Sequence, residues 1–197
     1  LPILDQFKAA MIGGGARAYQ FFVALRFPSY VTLGEAATAQ AAFLVSAATL
    51  PGSIVQPTIV PYRGREVKFA GERIFQPWSI TVMNDVSFNI RNSFEKWMAG
   101  MNGLANNSGR TNPRDYQTNV SVTQLDRNNN PLKIYTLNSA FPIDLSDITL
   151  NYGDNDTIET YTVTFQYQHY TTSFDAALSI GNVVNNTIGS GQGVFGI

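Results

Sequence analysis

The sequence predicts a mostly β chain with one helix laid on a sheet, and three observations carry that reading. Bulky and small polar residues alternate with a two-residue period, most cleanly over residues 78–83 and 157–170, the pattern of strands with one face on a core. One stretch, about residues 86–101, has a helical period instead. There Ile90, Phe94, Trp97, Met98 and Met101 make a single stripe, and Asn89, Arg91, Asn92, Glu95 and Lys96 fill the opposite face. Clusters of Gly, Pro, Asn and Asp punctuate the remainder as turns.

Taken in order, residues 1–16 form an N-terminal arm. Leu4, Phe7, Lys8 and Met11 hint at a short helix that Gly13, Gly14 and Gly15 end. No Lys-Ser/Thr follows the glycines and no strand precedes them, so they read as a hinge and not as a phosphate loop. Residues 19–27 are a first strand, with Tyr19, Phe21, Val23, Leu25 and Phe27 on one face. Residues 28–34 turn, and 41–50 make a second strand of small residues closed by Pro51 and Gly52.

Residues 53–64, SIVQPTIVPYRG, hold two prolines and no clean period. Proline cannot donate into a central ladder, so this is a long exposed connection or an edge. Its Ile54, Val55, Ile59, Val60 and Tyr62 are too apolar for a solvated loop, and exposed apolar patches mark contacts. A third strand over 65–70 breaks at Gly71. After the strand 78–83, Asn84 or Asp85 is placed to cap the helix, and Gly100 and Gly103 to stop it.

Residues 102–117 read as a polar loop, and 118–125 with 132–138 as a hairpin around 126–131. That turn has a trace of a calcium loop, but the required glycine and the distal glutamate are missing, leaving an Asn-rich turn. A short strand is expected near 146–152, then a turn at 153–156. In 157–170, Tyr161, Val163, Phe165 and Tyr167 face the core, while Thr160, Thr162, Thr164, Gln166 and Gln168 make a polar, uncharged face. Residues 171–197 are a C-terminal extension, with a turn of helix at Phe174, Ala177 and Leu178 before a Gly/Asn/Ser-rich tail.

At 197 residues, with 44% hydrophobic and 12% aromatic content, the chain can bury one domain core and is not of disordered composition. Charged residues are only 14%, against about 25% in an average domain. Low charge with many Asn, Thr, Ser and Gln suits a subunit covered by copies of itself, and equally a modestly charged β domain. Without cysteine there are neither disulfides nor thiolate metal sites. No 18-residue apolar run and no basic-then-apolar leader is visible, so no membrane insertion is expected.

The charge is divided along the chain. Residues 1–133 carry every Lys and Arg and a net +5; residues 134–197 carry six acids, no base and a net −6. Neither half is a charge run, which argues against a nucleic-acid-binding patch. A head-to-tail contact between copies would use such a division, since opposite potentials set register.

Catalysis finds no footing. His169 is the only histidine, and no H-E-x-x-H, G-x-S-x-G or Walker pattern occurs. No enzyme and no cofactor are expected. From another class, a β-sandwich carbohydrate-binding module would explain the strands and exposed aromatics. It leaves the helix, the apolar proline-bearing segment and the charge division unexplained.

The string GERIFQPWSITVMND at 71–85, followed by a helix with Phe94 and Trp97 in F-x-x-W spacing, resembles the tube protein of contractile bacteriophage tails. Residues 48–52, ATLPG, and 62–65, YRGR, sit where that family has similar residues, and a weaker match covers 158–170. The resemblance implies two packed sheets, forming a sandwich or barrel over 17–170, with the main helix outside. It further implies hexameric rings stacked into a hollow tube, with sheath protein outside and a tape-measure protein, then DNA, inside. Baseplate and tail terminator would close the ends. The subunit would assemble in host cytoplasm and reside in the virion. A tailocin or type VI secretion tube is the nearer alternative.

Within that picture, Ile54, Val55, Ile59, Val60, Tyr62, Arg63 and Arg65, with Lys68, are expected to reach the next ring and meet acids of 144–159. DNA must slide past a wall without cations that grip its phosphates. The expected lumen face is therefore Thr160, Thr162, Thr164, Gln166 and Gln168, with Ser46, Glu66 and Lys68 as the alternative lining.

Overall fold

The computed structural model describes residues 4–11 and 15–173; the helical turn expected at Phe174, Ala177 and Leu178 lies outside the described residues. Along the chain run α1 (Leu4–Ala10), β1 (Phe21–Ala24), α2 (Gly34–Leu44), β2 (Val45–Ala48), β3 (Ser53–Tyr62), β4 (Arg65–Phe75) and β5 (Trp78–Met83). Then follow α3 (Asn89–Met101), α4 (Pro113–Tyr116), β6 (Thr118–Leu125), β7 (Pro131–Leu145), β8 (Thr160–Gln166) and β9 (His169–Thr172).

Two sheets share the long strand β7. Its first part pairs β6, which pairs β1, and takes β9 on its other edge. Its last part pairs β8, which pairs β5, which pairs β2. β8 and β9 run in one direction beside β7, with Leu145 opposite Val163 and Tyr135 opposite Thr172. Both strands bend at one level. Ser139 takes a left-handed φ of 55°, and the Gln168 amide donates to Asn138 O at 3.1 Å. Strands that turn such a corner are how one ladder supplies both layers of a sandwich. The single strand expected over 157–170 is thus a strand starting at Thr160 and broken at 167–168. His169 is exposed beyond the break, opposite Asn138.

Between the layers lie Trp78, Ile80 and Val82 of β5, Tyr161, Val163 and Phe165 of β8, and Val120, Val122 and Leu137 of the other sheet. α3 closes the core from outside with Ile90, Phe94 and Trp97. Phe94 and Trp97 set their rings 5.8 and 6.2 Å from Phe165, and 5.0 and 5.6 Å from Phe27. Edge and tilted contacts of this kind add to the burial term.

Several expectations are corrected. Residues 34–44 form helix α2 beside α3, and only Val45–Ala48 remain of the strand expected over 41–50. Five of the eleven residues of α2 are alanine, the strongest helix former, and Ala37 and Ala41 let the backbone approach the core. α3 begins at Asn89 and not at 86, and neither Asn84 nor Asp85 caps it. Its N-terminus is preceded by Phe88 at φ 54°, with no side-chain cap. The Asn84 side chain donates instead to Glu159 Oε2 at 3.0 Å. Gly100 lies within α3 and does not stop it; Tyr30 crosses the helix there so closely that a Cβ would run into its ring. No strand forms over 146–152. β8 starts only at Thr160, so beyond Ser146 no partner backbone is available.

Of the two readings for 53–64, a long exposed connection or an edge, the second holds: Ser53–Tyr62 is a strand with one partner only. β3 pairs β4 in a two-stranded hairpin outside both sheets, turned by Arg63 at φ 47° and Gly64 at φ 78°. Two successive residues with positive φ make the tight turn whose twist suits a hairpin. With one partner only, the hairpin tolerates Pro57 and Pro61. β4 does not break at Gly71 but runs to Phe75 through a bulge there. A Cβ on Gly71 would lie 2.6 Å from Gln56 O, so only glycine fits.

Candidate assembly surfaces

The hairpin β3–β4 has two unlike faces. Register places Ile54, Val60, Tyr62, Val67, Phe69 and Ile74 on one face, and Val55, Ile59, Glu66, Lys68 and Arg73 on the other. From residue 54 to residue 70 every side chain is exposed, Tyr62 at 61% and Phe69 at 57%. An apolar surface of this extent on a two-stranded ribbon is not stable as a free feature. Its base is anchored: Phe75 packs 5.5 Å from Tyr170 and 6.0 Å from Tyr167, and Arg73 donates to Ser53 Oγ at 2.8 Å. The string GERIF therefore holds a bulge, a clamp and a plug where the hairpin leaves the body. All eight residues expected to reach another ring, Lys68 included, lie on this hairpin. Val67, Phe69 and Ile74 were not singled out from the sequence, because the bulge at Gly71 shifts parity along β4 and hides that they share one face.

The hairpin enters β5 at Trp78. At the other end of β5, Met83 stands opposite Thr160, where the segment 146–159 returns to the sheet. That segment exposes Leu150, Tyr152 and Ile158 and carries Asp147, Asp154, Asp156 and Glu159 without a base. A cavity of about 390 Å³ opens there, lined in part by Leu150, Tyr152, Asp154 and Glu159. Beside it, Asn84 Oδ1 and Asp85 Oδ1 are buried without a hydrogen-bond partner among the described residues. The other Asp85 carboxylate oxygen accepts from Ser87 Oγ. Arg91 lies over the Tyr161 ring at 5.1 Å and donates to Ser146 O at 3.1 Å. Burial holds the Tyr161 hydroxyl above its ordinary range, with Arg91 opposing the shift. Basic and acidic ends thus cap one sheet, about 17–20 Å apart along a six-residue strand.

The polar face of β8 is where alternation put it for Thr160, which is exposed, and for Thr162, Thr164 and Gln166, which are half-buried; Gln168 lies past the end of the strand, exposed at the break. Thr164 meets Ser79 at 3.2 Å between hydroxyls, and Thr162 lies opposite Thr81, whose carbonyl accepts from Ser46 Oγ at 3.3 Å. Asp144 of β7 stands opposite Thr164. No Lys or Arg falls within β2, β5 or β8. Ser46 therefore shares this sheet with the β8 face, while Glu66 and Lys68 sit apart on the hairpin.

No group of three or more His, Asp or Glu side chains placed to hold a metal occurs among the described residues. Asp126 of the Asn-rich turn is occupied by its own loop. The Asn130 amide, first among its partners, and then the Asn130 side chain and Asn128 amide hold its carboxyl below the usual range.

A two-layer β body thus carries helices outside, an exposed apolar and basic arm at one end and an acidic, base-free surface at the other, the build of a structural subunit and not of a catalytic domain. The chain belongs to the phage tail tube protein family, which residues 16–173 match. A tail tube protein of Serratia phage KSP90 is 31% identical over 169 residues, covering 85% of this chain and 95% of that one. The tail tube protein gp19 of Enterobacteria phage T4 is 28% identical over 129 residues, covering 65% of this chain and 79% of that protein. In fold, the chain resembles a protein of the anti-feeding prophage baseplate, with a TM-score of 0.56 at 12% identity over 80% of this chain and 95% of that one. The chain is a tube subunit of a contractile tail and a component of the virion; the carbohydrate-binding reading finds no support.

Proposed function

We propose that copies of this chain join into hexameric rings that stack head to tail as the inner tube of a contractile tail and conduct DNA. The observation that carries the stacking is the placement of the basic, apolar hairpin and the acidic segment 146–159 at opposite ends of one sheet. Heterologous contacts of this kind propagate without limit when they do not close. Arg63, Arg65 and Lys68 meet the acids, Asp85 included, while Ile54, Val55, Ile59, Val60 and Tyr62 bury against Leu150, Tyr152 and Ile158. The role is structural and needs no cofactor.

Laterally, the free edge of β2 extends the sheet β7-β8-β5-β2 into the neighbouring subunit, which removes an edge open to aggregation. Its polar face, with Thr160, Thr162, Thr164, Gln166 and Gln168, then lines the lumen, passing a tape-measure protein and later DNA. α2 and α3 face the sheath, and baseplate and terminator proteins meet the two ends. Assembly takes place in the host cytoplasm.

The test is charge reversal at the hairpin tip, Arg63→Glu with Arg65→Glu. The variant should keep the wild-type melting profile and polymerise poorly, and Asp154→Lys with Asp156→Lys in the same chain should restore polymerisation. Tubes formed as readily as by wild type in moderate salt would overturn the stacking.

A further inference from the structure

We infer that α1 of one copy docks into an apolar groove on a second copy, an exchanged arm that ties subunits together independently of the hairpin. The inference rests on the tube reading above. α1 is seven residues long and buries none of them. Leu4, Phe7 and Met11, spaced three and four apart, form one stripe, with Leu4 64% and Phe7 62% exposed. A helix this short does not persist alone in water, so its stripe requires a surface.

That surface lies where α3 ends. Met98, Met101, Leu104, Pro142, Ile143 and Leu145 line a groove of about 560 Å³, and Leu104 stands almost wholly in solvent. Methionines adapt their shape to an incoming aromatic ring such as Phe7. Glu95 stands on the rim with one oxygen on Arg91 Nε at 3.1 Å, leaving the other for Lys8 in the last turn of α1.

Reach assigns the occupant. Gln124 Nε2 holds the carbonyls of Arg17 and Gln20 at 2.6 and 3.0 Å, beside the Gln124–Lys133 pair. Pro142 lies nine residues farther along β7, a path of roughly 30 Å at strand rise that the bend at Ser139 shortens. The six residues from Met11 to Arg17 span at most about 20 Å, and the turn of helix back to Phe7 adds about 6 Å. The chain's own arm would have to run nearly straight to approach its own groove, which leaves little slack to lay the stripe in it. A neighbouring copy imposes no such limit.

Because the chain lacks cysteine, a pair of introduced thiols reads the contact directly. The Phe7→Cys, Ile143→Cys double variant is polymerised, treated with a short bismaleimide and run on a denaturing gel. The expected result is a ladder of covalent multimers, with each single variant remaining monomeric. Phe7→Cys with Leu104→Cys repeats the test at a position too exposed to disturb folding. Monomer only, or an internally bridged monomer, overturns the exchanged arm. Electron micrographs of the same samples separate the two claims: tubes without a ladder reject the arm and leave the tube, whereas neither tubes nor ladder rejects both.

Discussion

Trp97 holds α3 to the body through its ring, its indole and its backbone. Its ring packs on Phe27 and Phe165, Nε1 donates to Tyr116 O at 2.8 Å, and its carbonyl accepts from Tyr30 at 2.8 Å. Burial pushes the Tyr30 hydroxyl up to about 12 despite Arg110 at 4.3 Å over its ring, so it stays a donor at any neutral pH. Trp97→Ala should therefore cost about 3–5 kcal/mol, and thermal melting should fall accordingly. Glu95→Ala and Lys96→Ala, on the solvent side, should change stability by no more than about 0.5 kcal/mol. A folded Trp97→Ala protein with the wild-type melting temperature would contradict this placement. The residue was legible because α3 is long enough for its stripe to repeat. The first residue of the helix was not, since a left-handed Phe88 has no sequence signal.

At the scale of elements, legibility followed side-chain contrast. β5 and β8 alternate large apolar with small polar residues, and the structure keeps both faces as read. α2 was hidden because alanine buries as well as it exposes, so GEAATAQAAFL shows no stripe. The hairpin was half legible: proline excluded a central strand, but the bulge at Gly71 shifts parity between the two halves of β4 and masks the alternation. The β8 face carries a prediction of its own. Lysines there would release counterions from passing DNA and grip it. Thr162→Lys with Thr164→Lys in the assembling particle should leave tails intact and slow DNA delivery, more at low salt than at high. Delivery at the wild-type rate would place this face away from the lumen.

For the whole molecule, the division of charge along the sequence becomes a division in space. The hairpin, with Arg63, Arg65, Lys68 and Arg73, leaves one end of β5, and the base-free segment 146–159 gathers at the other. The sequence showed the asymmetry and the family resemblance; it could not show that the two charged segments stand at opposite ends, because that follows from which strands pair. The acids of 144–159 were read as the hairpin's partner from the sequence, but the apolar residues beside them were not, for a related reason. Leu150 and Tyr152 fit a strand pattern, and only the absence of a partner strand leaves them exposed. The most direct test is a three-dimensional reconstruction of tubes polymerised from the purified protein. Every ring should point the same way, with the hairpin of each subunit against segment 146–159 of the next ring. Rings of alternating polarity, or hairpin ends meeting one another, would contradict the head-to-tail account.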